Sequence, residues 1–235
     1  MVETPWQYPK RILVFGDSNS WGYVAAVGKG APTRLNDALR WPGILQSELG
    51  DEITVLVDAL CGRLSDVDAG PAPPDEGPDV EPSMFNGLRH AVVAGASQSP
   101  LHLVIVMLGT NDVGAAPARD ASAIAAGVAK VAQALVQGAG VFVPGVRPRV
   151  LLVAPPPLGG PREPADAPAF WAAAWEKSRQ LAPAIAQVAF QAGFDFFDAG
   201  GAIATDGADH VHLTEVNHAT LGLALVPIVR QLCKA

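Results

Sequence analysis

The 235 residues suffice for one α/β domain with a sizeable core, and at 49% hydrophobic the chain does not lack material to bury. Only 17% of residues are charged and the net charge is −7, which excludes the basic footprint that nucleic acid or an anionic membrane would need. No apolar run reaches the length of a membrane span, the start Met-Val-Glu-Thr-Pro-Trp is not a signal peptide, and Cys61 and Cys233 alone make no disulfide framework; a soluble cytoplasmic protein of one domain, 1–235, is expected.

Arg11-Ile-Leu-Val-Phe15 followed by Gly16-Asp17-Ser18 reads as a short buried strand that delivers a hydroxyl to its C-terminal end, where open α/β sheets carry their chemistry. A helix starting after Ser18 would turn its unpaired N–H groups toward an anion at the serine oxygen; the plainer alternative is a serine capping an ordinary helix. Gly28 to Asn36 is a polar loop, and Arg40-Trp41-Pro42 opens a short helix that runs to Leu49 and stops at Gly50. Ile53 to Val57 is a second buried strand, leaving through Asp58-Ala-Leu-Cys-Gly62-Arg63. Asp66 to Pro82, dense in Pro, Gly and acidic residues, is a long surface loop.

Leu101 to Leu108 is the most apolar strand and ends in Gly109-Thr-Asn111-Asp112. Ile124, Val128, Val131 and Leu135 fall at helical spacing within Ser122 to Gln137, so an amphipathic helix covers one sheet face. Arg149 to Ala154 is the fourth strand, halted by Pro155-Pro-Pro157 at the head of a second long loop that ends at Pro168. A helix from about Ala169 to Gln191 should be kinked or split by Pro183; Phe194 to Phe197 is a fifth strand and Thr214 to Leu232 a closing helix. Strands alternating with helices predict a three-layer α/β/α sandwich around a flavodoxin-like parallel sheet of about five strands. Trp21, Trp41, Trp171 and Trp175 cluster near the loops, where core packing and substrate contact explain them equally well.

Between the fifth strand and the last helix lies Asp206-Gly-Ala-Asp209-His210-Val-His212. Acyl transfer by a serine needs a base in reach of the hydroxyl and a carboxylate that orients the base. A D-x-x-H turn supplies both, since residues three apart in a tight turn lie within ~7 Å. Spacing leaves Asp206 and His210 open as alternatives. A His-x-His pair also suits a metal, but no third ligand at suitable spacing accompanies it.

Gly16-Asp17-Ser18, Gly62, Gly109-Thr-Asn111-Asp112 and Asp209-x-x-His212 stand in the order of the four sequence blocks of the SGNH, or GDSL, hydrolases, which the chain resembles over nearly its whole length. The resemblance is closer still to the arylesterase and acyltransferase branch typified by a mycobacterial octameric esterase with perhydrolase activity. Gly16-Asp-Ser-Asn-Ser-Trp-Gly22, Arg40-Trp41, Met107-Leu-Gly-Thr-Asn-Asp112 and Phe197-Asp-Ala-Gly200 carry that closer likeness. The resemblance implies Ser18 as nucleophile, His212 as general base and acid, Asp209 as its carboxylate, and an oxyanion hole of the Ser18 and Gly62 N–H groups and the Asn111 amide. It implies no cofactor or metal, and a homo-oligomer. Asp17, Trp21, Arg63 and Asp112 are further candidates for substrate contact. Many family members have Leu after the serine; here Asn19 stands there, with no role the sequence assigns.

Two readings compete at the level of function. One is an esterase of small acyl esters, aryl esters included, that passes its acyl group to water, an alcohol or peroxide. The other is a flavodoxin-like module holding phosphate or nucleotide at the Gly16 to Ser20 helix start, and Ca²⁺ or Mg²⁺ binding at Asp17 and Asp112 is a third, minor option. A phosphate site would prefer a basic residue where Asp17 stands. The two long loops, 66–82 and 155–168, are expected to set substrate size, partly through contacts between subunits.

Overall fold

The computed structural model describes residues 9–25, 31–70, 80–115, 118–160 and 169–234. Its centre is a sheet of five parallel strands: β1 (Lys10–Gly16), β4 (Ile53–Ala59), β5 (Leu103–Met107), β6 (Arg149–Ala154) and β7 (Asp195–Asp198), in spatial order β4-β1-β5-β6-β7. The first three strands of this sheet along the chain thus lie in the order second, first, third, the flavodoxin-like arrangement the alternation predicts. Two further strands of two residues, β2 (Tyr23–Val24) and β3 (Thr33–Arg34), pair as an antiparallel ribbon, and the second of them lies inside the Gly28 to Asn36 segment expected to be only a polar loop.

Side chains alternate across the sheet, so each strand feeds two cores. Ile12 and Val14 of β1 join Ile105 and Met107 under α2 (Trp41–Leu49) and α8 (Glu215–Lys234). Leu13 and Phe15 join Val104 and Val106 under α3 (Gly87–Gln98), α5 (Ala121–Ala139) and α7 (Leu181–Ala192). The helix expected over 169–191 is split at Gln180 into α6 (Ala169–Arg179) and α7, which puts Pro183 in the first turn of α7, where its missing N–H costs no helical bond. Two one-turn helices, α1 (Ser18–Trp21) and α4 (Asp112–Ala115), sit at the ends of β1 and β5.

The structure departs from the sequence reading at one strand and adds one helix. The strand at Ile53 is the sheet's edge and only half-buried, because β1 covers one of its sides and none of the described residues pairs with the other. Helix α3 has no counterpart in the sequence reading: it packs through Ala91, Ala94 and Gly95 while Val92 and Val93 face solvent, so its hydrophobic pattern points the wrong way. Gly95 and Gly138 allow the tight approach, for a Cβ on either would lie 2.2 and 2.1 Å from a carbonyl oxygen of the facing helix. Of the tryptophans, Trp41 is wholly core, Trp175 packs against the core, and Trp21 is half-buried; the Trp171 side chain lies outside the described residues.

Where α8 crosses α2, His218 is fully buried and its Nδ1 accepts the Trp41 N–H at 3.3 Å. Burial, with the Arg40 guanidinium and then His212 adding like charge, lowers its pKa from 6.5 to about 4. Between those values the unfolded chain binds a proton that the folded protein does not, so this group's contribution is lost as pH falls through that window. Taking wild type from pH 6.5 to pH 4 should cost about 3 kcal/mol through this group. His218→Asn, which keeps an acceptor for Trp41, should remove that part of the pH dependence. Urea midpoints at both pH values check it, and equal slopes for the two proteins refute it.

Candidate active site

The strand register brings the site's parts together. Gly16 pairs with Ala59 on one side and Met107 on the other, so β1, β4 and β5 end on one rung. Asp17-Ser18, Leu60–Gly62 and Leu108–Asn111 therefore leave the sheet side by side. Gly16 has no substitute here: a Cβ would fall 2.2 Å from Ser20 Oγ, so any side chain would push α1 off the strand end. Asp17, not Ser18, caps α1, its Oδ1 accepting the Asn19 N–H at 3.0 Å.

Ser18 Oγ lies 2.9 Å from His212 Nε2, and His212 Nδ1 lies 2.5 Å from Asp209 Oδ2. The second oxygen of Asp209 accepts the N–H groups of Val211 and His212, both at 3.0 Å. Burial alone would raise the Asp209 carboxyl, but the His212 ring and these two N–H groups hold it well below the usual carboxylate range. The structure thus separates the alternatives the spacing left open. Asp206 turns to the start of α8, accepting from the Thr214 hydroxyl at 3.0 Å and the Asn217 amide at 2.5 Å. His210 adopts φ of 60° and its carbonyl takes the Gly159 N–H, outside the relay. With both ring nitrogens of His212 engaged, the His210–His212 pair is not arranged as two metal ligands.

Gly62 sits in a turn closed by the Arg63 N–H on the Leu60 carbonyl at 3.1 Å. Its φ of +79° is strained for any L side chain, and a Cβ would press on the Phe85 ring at 3.2 Å. Asn111 directs Nδ2 to the Arg63 carbonyl at 3.0 Å, which fixes the amide plane while using one of its two hydrogens. Burial, with the Asp17 charge adding to it, pushes up the thiol of Cys61 beside Gly62, which lowers its thiolate character.

Of the four residues expected to touch substrate, three are placed otherwise. Asp17 is fully buried; burial, reinforced by Asp112 and opposed by the Asn19 N–H and His212, pushes its carboxyl up to about 6. Its Oδ2, facing the Thr110 hydroxyl, makes no well-formed hydrogen bond. Arg63 is buried over the Phe15 ring at 4.0 Å and donates to the carbonyls of Gly16 and Asp58 and to the Asp58 carboxylate, at 3.0, 2.7 and 2.7 Å. Asp112 takes the Ser65 hydroxyl at 2.5 Å and the Arg119 guanidinium at 3.2 Å, away from solvent. Only Trp21 keeps exposed surface, under the Arg34 guanidinium at 4.5 Å. Sequence reasoning missed Tyr23, whose ring lies 4.2 Å from that of His212 at a tilt of 36°. Nothing local marks it, since the contact depends on the β2–β3 ribbon folding back over the site.

The profile of the GDSL-like lipase/acylhydrolase family matches residues 14–219. The chain belongs to that family. It is a carboxylic ester hydrolase of the GDSL, or SGNH, type, and its five-stranded sheet flanked by helices is the fold of that family's solved structures. The M. smegmatis aryl esterase is 36% identical, with 95% of this chain and 99% of that one covered and a TM-score of 0.82. A carbohydrate acetylesterase from Sinorhizobium meliloti is 33% identical over 95% and 99% of the two chains at a TM-score of 0.83. A putative arylesterase from Agrobacterium tumefaciens is 34% identical over the same shares at 0.79. A search of curated proteins returned no match.

The clamp role of Arg63 in this GDSL hydrolase has a direct consequence. Arg63→Met removes the guanidinium bonds to the Gly16 and Asp58 carbonyls and leaves the Asp58 carboxylate without its cation, and should lower the unfolding free energy by about 3 kcal/mol, with KM for an aryl acetate little changed. Chemical denaturation and steady-state kinetics on one preparation check both. A raised KM with intact stability would return Arg63 to the substrate surface.

Proposed function

We propose that the protein is a serine esterase of small acyl esters, aryl esters among them, acting through an acyl-Ser18 intermediate. The observation that carries this reading is the unbroken relay from Asp209 through His212 to Ser18, at 2.5 and 2.9 Å. His212 Nε2 takes the Ser18 proton as Oγ attacks the ester carbonyl, and Asp209, held ionised by its three donors, stabilises the imidazolium that forms. The negative oxygen of the tetrahedral intermediate is received by the N–H groups of Ser18 and Gly62 and by the free hydrogen on Asn111 Nδ2. A donor of this kind is worth roughly 3–4 kcal/mol in the transition state. His212 then returns the proton to the leaving oxygen, the ester C–O bond breaks, and the acyl group stays on Ser18. Water, activated by the same imidazole, releases the acid; an alcohol or peroxide in its place takes the acyl group as a new ester or peracid.

The preference for small acyl groups draws support from the aryl esterase and acetylesterase names of the neighbours and from the Tyr23 ring that walls His212. The phosphate-binding alternative loses ground because the Asp17 carboxyl already occupies the cap of α1, where a phosphate would sit. Assembly into oligomers and a part for the two long loops in acyl selectivity belong to the same proposal. Residues 71–79 and 161–168 of those loops lie outside the described residues, while the neck of the first is closed by the Ala69 N–H on the Pro82 carbonyl at 3.1 Å.

Ser18→Ala should keep its fold and lose both aryl-acetate turnover and fluorophosphonate labelling; near-normal turnover in the purified variant would falsify the esterase reading. Replacing the two histidines separates them. His212→Ala should lose roughly 10⁴-fold in kcat, whereas His210→Asn, a residue suited to positive φ, should lose far less. If the larger loss fell on His210, the relay would be misassigned.

A further inference from the structure

Asn19, which the relay does not use, is the residue to which the geometry next points. It is 1% exposed, and its side-chain amide behaves as a peptide unit does in a sheet: Nδ2 donates to the Val211 carbonyl and Oδ1 accepts the Leu213 N–H, both at 3.2 Å. Those two partners flank His212. Among the described residues, the hydrogen bonds joining α1 to the turn that holds His212 are these two and the Nε2···Oγ contact itself. The turn's other ties run within itself or elsewhere. Gly207 N–H goes to the His212 carbonyl, Asp209 caps Val211 and His212, and Gly159 N–H goes to His210.

We propose that Asn19 is the positioning residue for His212: bonded on both sides of the histidine, it keeps the imidazole in register with the Ser18 hydroxyl one residue away on α1. The inference rests on the esterase reading, since the distance it controls matters only if His212 takes the Ser18 proton. Its backbone N–H is meanwhile fixed on Asp17 Oδ1, so the amide that reaches across is itself held at its root. A leucine at this position, common in the wider family, would fill the space and make neither bond.

Two variants test the proposal. Asn19→Asp keeps the size and the acceptor for Leu213 but sets an oxygen against the Val211 carbonyl; Asn19→Leu removes both bonds and keeps the bulk. Each should lose about 10- to 100-fold in kcat on an aryl acetate, the range that follows a displacement of about 1 Å in a reacting group. KM should hold, and labelling of Ser18 by a fluorophosphonate should slow by the same factor. The downfield proton signal of His212 Nδ1–H, sharp in wild type, should broaden as the ring loses its fixed place. If wild type itself is not labelled at Ser18, the esterase reading fails. If wild type is labelled and the variants match its kcat and labelling rate, whatever their melting temperatures, the positioning role of Asn19 is overturned and the esterase reading stands.

Discussion

The pairing of β1 with β4 on one side and β5 on the other places Gly16 opposite Ala59 and Met107, and the site hangs on that rung. A slip of one residue would move a strand end by ~3.3 Å and turn its side chains to the opposite face. The tolerance of a hydrogen-bonded relay is nearer ~1 Å, so no such slip is compatible with it. What forbids the slip is burial on both faces. Ile12 through Phe15 are all fully buried, and reversing them would exchange the residues of two packed cores. The hydrophobic effect, which has no direction of its own, fixes the position of a hydroxyl through the period of the strand.

Beyond the rung the chain leaves the sheet in turns, and buried polar groups hold these turns to one another. Arg63 joins the turn after β4 to the end of β1, Asn111 joins the turn after β5 to the Arg63 carbonyl, and Asp112 joins it again to Ser65. Asn19 completes the circle by joining α1 to the turn after β7. Each bond alone contributes about 1 kcal/mol or a little more, but removing one partner leaves a buried group unsatisfied, and that costs more than the bond contributed. The same groups cannot also be free to bind substrate. A charged residue next to a catalytic one in sequence is therefore as well explained by the need to lock a turn as by contact with a ligand.

The sequence made the central sheet legible because its inner strands are apolar runs bounded by glycine, and the relay because Ser18, Asp209 and His212 sit in short blocks of recognisable order. It misled where local pattern and tertiary context diverge. Helix α3 buries alanine and glycine and exposes valine, so no periodicity announces it. The β2–β3 ribbon is two residues a side, too short for alternation to appear, and with it the Tyr23 contact was hidden. For Arg63, Asp17 and Asp112 the sequence shows a charge but not its burial. Asn19 was the opposite case: its identity stood out, while its partners lie more than 190 positions away along the chain.

Two aspartates close to Ser18 show how environment divides labour between like groups. Asp17 is the nearer in sequence and fully buried, yet its carboxyl receives only one well-formed N–H bond and is pushed up to about 6. Asp209 is half-buried and receives three N–H donors, two from the backbone and one from the imidazole. The imidazole and the two backbone N–H groups hold its carboxyl well below the usual carboxylate range, which suits it to orient the ring and offset a positive charge on it. Asp17, by contrast, is pushed toward its neutral form by burial, which makes it the poorer partner for a positively charged ring. The turn geometry of D-x-x-H thus does more than bring a carboxylate near. By aiming two consecutive N–H groups at the same side chain, it fixes that carboxylate in place beside the ring and favours its charged form, which a buried carboxyl with a single N–H donor does not match.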